Sequence, residues 1–108
     1  MPVPREKFST LTEQMFYILL CLRTERCGMD IMDMVSRMTD GRVKVGPGTV
    51  YNLLEQFRAA GMIRLTRDEG RRKSYILTGL GSDALKREYE RLNRQTELYR
   101  SIMEEGEI

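Results

Sequence analysis

GRVKVGPGTVYNLLEQFRAAGMI, residues 41–63, is the stretch from which the architecture can be read. Gly46-Pro47-Gly48 makes a turn, and Pro47 suits the first turn of a helix, where a missing N–H costs nothing. Val50, Leu53, Leu54 and Phe57 then recur at i, i+3, i+4 and i+7, so they share one helical face. Thr49, Tyr51, Asn52 and Gln56 fall between them as the polar side. Ala59-Ala60-Gly61 closes the helix, and Arg42–Val45 alternates polar and apolar as a short strand or extended connector would.

Upstream, the same spacing occurs twice. Thr10 with Glu13 fits a capping box that opens a helix over residues 11–22, with Met15, Ile18, Leu19 and Leu22 on one face. Gly28 opens a second helix with Ile31, Met34, Val35 and Met38, and Asp40-Gly41 stops it, the glycine taking a left-handed cap. Three amphipathic helices with short connections predict a compact tri-helical core. Residues 1–9, which include two prolines in MPVPREK, read as a tail.

Downstream the period changes to two. Residues 62–67 and 72–77 read as strands of a hairpin with Ile63, Leu65, Tyr75 and Leu77 inward, and Asp68-Glu69-Gly70-Arg71 as the exposed tip. A last helix is predicted from about Leu80 to Met103, although Gly79 and Gly81 weaken its first turn. Leu85, Leu92 and Tyr99 are seven apart, as are Tyr89, Thr96 and Met103, which is a heptad seam. At about 1.5 Å per residue this helix would overhang so small a core. A second copy of the chain is the expected cover, with Leu85, Tyr89, Leu92, Tyr99 and Met103 at the interface; folding back on its own core is the competing reading. The expected organisation is a tail (1–9), a helical and hairpin unit (10–78), a dimerisation helix (79–104) and a short tail (105–108).

Composition narrows the function. The 108 residues contain no histidine and only Cys21 and Cys27, so neither a zinc ligand set nor a disulfide scaffold is indicated. Without histidine, metal or a phosphate-binding loop, no enzyme chemistry suggests itself, and no cofactor is expected. No apolar run is long enough for a membrane span, which together with the lack of a signal-peptide pattern places the chain in the cytoplasm. The net charge of +2 conceals a basic stretch: residues 42–75 carry eight basic side chains against three acidic ones. Such a segment suits phosphate contact, because each neutralised phosphate releases counterions; scattered charge on a solvated face is the plainer reading.

The order of helix, helix, extended segment, helix, two-stranded wing and long helix describes a winged helix-turn-helix, mostly α with a small β-hairpin. The stretch GRVKVGPGTVYNLLEQFRAAGMI followed by RRKSYILTGLG resembles the PadR-like family of bacterial repressors. The likeness includes an aromatic-rich first helix (LTEQMFYILLCL), a glycine-led second helix (CGMDIMDMV), a third beginning P-G-T-V-Y, and a basic wing ending in tyrosine and L-T, over residues 8–85. Two departures stand out. Cys27-Gly28-Met29 replaces a common His-Gly-Tyr, and Gly79 occupies a usually acidic position of L-T-x-x-G. The single C-terminal helix matches the short branch of the family.

That architecture places the third helix in the major groove of operator DNA. Thr49 and Tyr51 hydroxyls and the free N–H groups near Pro47 and Gly48 suit phosphate oxygens, Asn52 an adenine edge, and Gln56 the groove margin. Arg42 and Lys44 are expected to add phosphate contacts, and Arg71, Arg72 and Lys73 at the wing tip to reach the flanking minor groove or backbone. Tyr51 also has a packing reading, with its ring at the core boundary and its hydroxyl exposed. The resemblance further implies a homodimer on a pseudo-palindromic operator and relief of repression by a small aromatic or cationic effector, in a pocket between subunits bounded by Met15, Phe16, Tyr89 and Met103. The rival function is a winged-helix adaptor or antirepressor that binds protein; it predicts an apolar third-helix surface and an uncharged wing.

Overall fold

The computed structural model describes residues 7–106. Helix α1 (Glu13–Cys21) leads into a two-residue strand β1 (Arg26–Cys27), helix α2 (Gly28–Met38) and helix α3 (Pro47–Ala59). Strands β2 (Ile63–Glu69) and β3 (Arg72–Leu77) form the hairpin, and helix α4 (Gly79–Tyr99) continues into a widened π-helical turn over Arg100–Glu104. The sheet is antiparallel in the order β1-β3-β2, so β3 is central. This winged helix-turn-helix architecture is the one expected, apart from β1. Two residues pairing Arg26 with Tyr75 and Cys27 with Ser74 are too short to leave a periodic signal.

Helix faces follow their apolar spacing. Val50, Leu53, Leu54 and Phe57 are all buried, as are Ile18, Leu19 and Leu22 before them and Ile31 and Val35 between. Each such side chain contributes about 1.5–3 kcal/mol by leaving water. Met38, assigned to the α2 stripe, is exposed instead, because α2 has reached its end and the chain turns away. That turn puts both Asp40 (φ 52°) and Gly41 (φ 76°) in the left-handed region. Residues 43–46 run on as an extended connector without strand pairing.

The N-terminal start needs correction. Thr12, not Thr10, caps α1, its hydroxyl accepting the Met15 N–H at 3.2 Å. Thr10 cannot take that role because the segment before α1 is already committed to the core. Phe8 and Leu11 are both buried, and the Phe8 ring meets Phe57 edge-on at 5.4 Å. The expected tail therefore gives way to packed chain from Phe8 onward; residues 1–6, like 107–108, lie outside the described residues. In the hairpin, β2 extends two residues beyond its expected end and carries a bulge at Thr66, between Leu65 and Arg67.

Helix α4 packs on α1 and β3 through its first half only. Gly81 and Ala84 are buried there, and Leu85 is half-buried against the core. From Leu92 onward every described residue except Ser101 is exposed. Within one chain, α4 does not fold back.

Candidate nucleic-acid interface

Helix α3 presents its N-terminal end to solvent. Gly46 caps it without a side-chain hydrogen bond, and its first turn holds no acidic residue. The positive end of the helix dipole and the unpaired N–H groups are thus free to meet an anion. Pro47, Gly48, Thr49 and Asn52 are exposed, Lys44 is exposed on the connector, and Gln56 is half-buried. Tyr51 is 46% exposed. Its ring lies over Gly28, where an added Cβ would come within 2.6 Å of Cε1, so the missing side chain of Gly28 makes room for it. The packing reading of Tyr51 describes what is seen: the ring is seated on Gly28 and an edge remains in water.

The wing closes on this corner. A cleft of about 160 Å³ lies between Cys27, Gly28 and Met29 at the start of α2, Tyr51 on α3, and Arg71, Arg72 and Lys73 at the wing tip. No acidic residue lines it. The α2 N-terminus, capped by Cys27 without a side-chain bond to its N–H groups, opens nearby. The adjoining surface, which shares Cys27 and Arg72 with that cleft, is different. There a cleft of about 300 Å³ is lined by Arg26, Arg67 and Arg72 but also by Glu25, Asp30 and Glu69. Arg67 sits 3.8 Å from Glu25 and 3.5 Å from Glu69, loose ion pairs on an exposed face. Uncompensated positive charge is therefore concentrated on the side of the recognition corner.

Arg42 is committed elsewhere. Its Nη2 pairs with Glu13 Oε2 at 2.7 Å and donates to the Tyr17 hydroxyl at 3.2 Å, while that hydroxyl donates to Glu13 at 2.8 Å. The Arg42 hydrogen bond, helped by Tyr17, holds the Glu13 carboxyl below its ordinary value, and Arg42 is raised in return. Arg42 thus ties the connector ahead of α3 to α1 rather than standing free for a phosphate.

On α4, Tyr89, Leu92, Tyr99 and Met103 are exposed, with Leu85 half-buried. Leu98 and Ile102 are exposed as well and were outside the heptad reading. Spaced by four, Leu98 and Ile102 lie about one turn apart, as do Tyr99 and Met103, and Ile102 and Met103 fall within the π turn. Met15 and Phe16 are half-buried against the core on α1, whereas Tyr89 and Met103 are exposed on α4.

Residues 18–87 match the model of the transcriptional regulator PadR-like family, from mid-α1 into the first half of α4. The chain belongs to that family. Solved structures agree at the level of fold. A PadR family regulator from Eggerthella lenta superposes with a TM-score of 0.70 at 19% identity, covering 83% of this chain and 80% of that one. A transcriptional regulator from Clostridium thermocellum gives 0.69 at 17%, covering 84% and 92%. A PadR-like transcription factor from Bacteroides fragilis gives 0.66 at 24%, covering 82% and 87%. No curated protein matches in sequence. The PadR-like chain is accordingly a DNA-binding transcriptional regulator and not an enzyme. Among its described residues, no helix is long and apolar enough to cross a membrane.

Within this PadR-like chain the structure brings Tyr51 together with Arg71, Arg72 and Lys73, and adds Gly28 and Met29, which the sequence reading missed. Their signal was present in the family-like glycine after Cys27, but only the packed Tyr51 ring shows what the glycine accommodates. Glu88 and Arg91 were also missed. Glu88 lies three residues after Leu85 and four before Leu92, flanking the seam on its own face, and is 2% exposed.

Proposed function

We propose that this PadR-like regulator is a bacterial, cytoplasmic repressor that grips a pseudo-palindromic operator as a homodimer. The single observation that carries the reading is the acid-free cleft shared by Tyr51, the α2 N-terminus and the Arg71-Arg72-Lys73 wing tip. Its dimensions and charge suit a DNA backbone phosphate, which would lock wing and helix-turn-helix to one strand. Thr49 and Asn52, exposed one turn along α3, then face the major groove edges. Lys44 supplies a phosphate contact from the connector; Arg42 acts by bracing that connector on Glu13. The exposed apolar side of distal α4 favours a second copy as its cover, which would give two reading heads at duplex-compatible separation. Space between the subunits near Met15, Phe16, Tyr89 and Met103 would then receive a small aromatic or cationic effector.

The test is the salt dependence of binding to the protein's own upstream DNA and to random duplex. Each phosphate contact steepens the slope of log K against log salt by about 0.9. Replacing Arg71, Arg72 and Lys73 together by Ala should flatten that slope by about two to three units on both DNAs. A triple variant that binds as the parent does would refute the assignment. An adaptor that binds protein would show no salt-sensitive retention on DNA or heparin at all.

A further inference from the structure

Glu88 is a carboxylate in an apolar setting, and nothing in DNA contact or in the α4 stripe uses it. Its side chain is almost fully buried where α4 crosses the N-terminal segment. Oε1 accepts the Leu11 backbone N–H at 3.0 Å and Arg91 Nε at 3.0 Å, while Oε2 takes Arg91 Nη2. Arg91 Nη1 then donates to Gln95 Oε1 at 3.1 Å. Burying a charge is costly, and a well-packed apolar side chain is often as stable or more so in such a place. An apolar side chain could fill this place as well, so packing alone does not call for a carboxylate here. What it supplies beyond an apolar group is direction: its bonds fix which way α4 leaves the core.

The contacts form a continuous train. On α3, Phe57 packs edge-on against Phe8; the chain from Phe8 to Leu11 runs to α4; and the Leu11 N–H ends on Glu88. A second anchor lies nearer the start of α4. Gly81 packs against the Met62 carbonyl so closely that a Cβ there would collide with it, and the Thr78 hydroxyl donates to the Gly61 carbonyl at 2.6 Å. Gly81 and Glu88 are seven residues, about 10 Å, apart along the helix. Ala84 and Leu85 pack between them, and Glu88 is the last buried residue before the helix leaves the core, so it bounds the lever that swings beyond. A swing of about 10° around Gly81 would move Tyr99 by about 5 Å, more than the roughly 3.4 Å step between base pairs.

We propose that Glu88 is a positioning residue that sets the angle between the reading head and α4, and through it the half-site spacing the dimer accepts. This rests on the reading that α3 meets DNA and that α4 pairs two copies. Without the carboxylate, α4 keeps the Gly81 anchor and loses its fixed direction, so the two heads sample a range of separations.

Two measurements test it, on the full chain. Spin labels on Asp33→Cys, an exposed position on α2, report the distance between heads in solution; Cys21 and Cys27 are buried, and the unsubstituted chain put through the same labelling gives their background. A series of duplexes with half-sites moved apart one base pair at a time reports spacing selectivity. Glu88→Met keeps the length without the charge and should broaden the distance distribution. It should also lower selectivity between the best spacing and its neighbours by at least about fivefold, with affinity for random duplex unchanged. Arg91→Leu, altering a side chain that is partly in solvent, should act in the same direction by a smaller margin and carries the test if Glu88→Met does not fold. Parent-like distances and selectivity in the folded Glu88→Met, or in Arg91→Leu where it stands alone, would overturn the proposal. So would an equal loss on specific and random DNA. A parent that gives no distance between copies, or no salt-sensitive DNA binding, would instead overturn the dimeric DNA-binding reading beneath it.

Discussion

Gly81 shows how much a single hydrogen atom can decide. By sequence it is a weak point in the first turn of α4, since glycine adds chain entropy to the unfolded state. In the fold it is where α4 lies against the Met62 carbonyl and the Leu77 side chain, with no space for a methyl group. The obstacle is backbone that also accepts the Thr78 N–H, so it cannot step aside as a flexible side chain would. Gly81→Ala should therefore destabilise the protein by about 1–3 kcal/mol despite the better helix propensity of alanine, as a thermal or urea melt would show. Glu88 makes the complementary case for a charge. The Arg91 hydrogen bond, opposed by burial and aided by the Leu11 N–H, holds its carboxyl below the ordinary value of 4.5. A carboxylate depressed on folding adds stability above its unfolded pKa and loses it as pH falls through the folded one. Stability should thus be level in this respect above about pH 5 and decline below about pH 4.5. Glu88→Gln should lose part of that acid slope in melts across the same range; an unchanged slope would show that the decline arises elsewhere. Glu13, also depressed by Arg42, is exposed and screened by water, so its share is small.

At the scale of elements, the helices that sequence describes best are those whose stripe is fully used by the core. All four apolar positions expected of α3 are buried, while the last position of the α2 stripe is not. Helix α4 is different, because its pattern serves two surfaces in succession. Gly81, Ala84 and Glu88 face the core, and Leu92, Leu98, Tyr99, Ile102 and Met103 carry apolar surface past its edge. A strict seven-residue count catches Leu92, Tyr99 and Met103 but misses Leu98 and Ile102, which are exposed on the same distal stretch. Both are exposed within one chain, so charges there should leave the fold intact. In the proposed dimer, Leu98→Glu combined with Ile102→Glu should raise the dissociation constant by at least about 100-fold, as measured by sedimentation. A double variant that remains dimeric at parental concentrations would move the interface off this face.

The whole molecule is longer than its mass requires. Its radius of gyration is 15.8 Å and its extents are 57 × 36 × 21 Å. A compact chain of this length would have a radius near 13 Å. The excess is the unsupported half of α4, whose overhang was legible beforehand as a seam outrunning its core. Also legible were the order of elements, the basic stretch and the exposed start of α3, because each depends on spacing or composition within a few residues. The candidate DNA-binding corner was only half legible. Arg71, Arg72 and Lys73 announced themselves, but Arg42 looked equally available until the fold paired it with Glu13, 29 residues away.

By itself the sequence determined which segments are helices and strands and which of their faces are apolar, since local hydrophobic period is written residue by residue. Tertiary structure alone decided who meets whom. It placed Tyr51 on Gly28, drew Phe8 into the core, added β1 to the sheet and turned Glu88 inward to hold Leu11. Those outcomes depend on contacts between residues far apart in the chain, where no short-range pattern records whether a charge will face water or a partner.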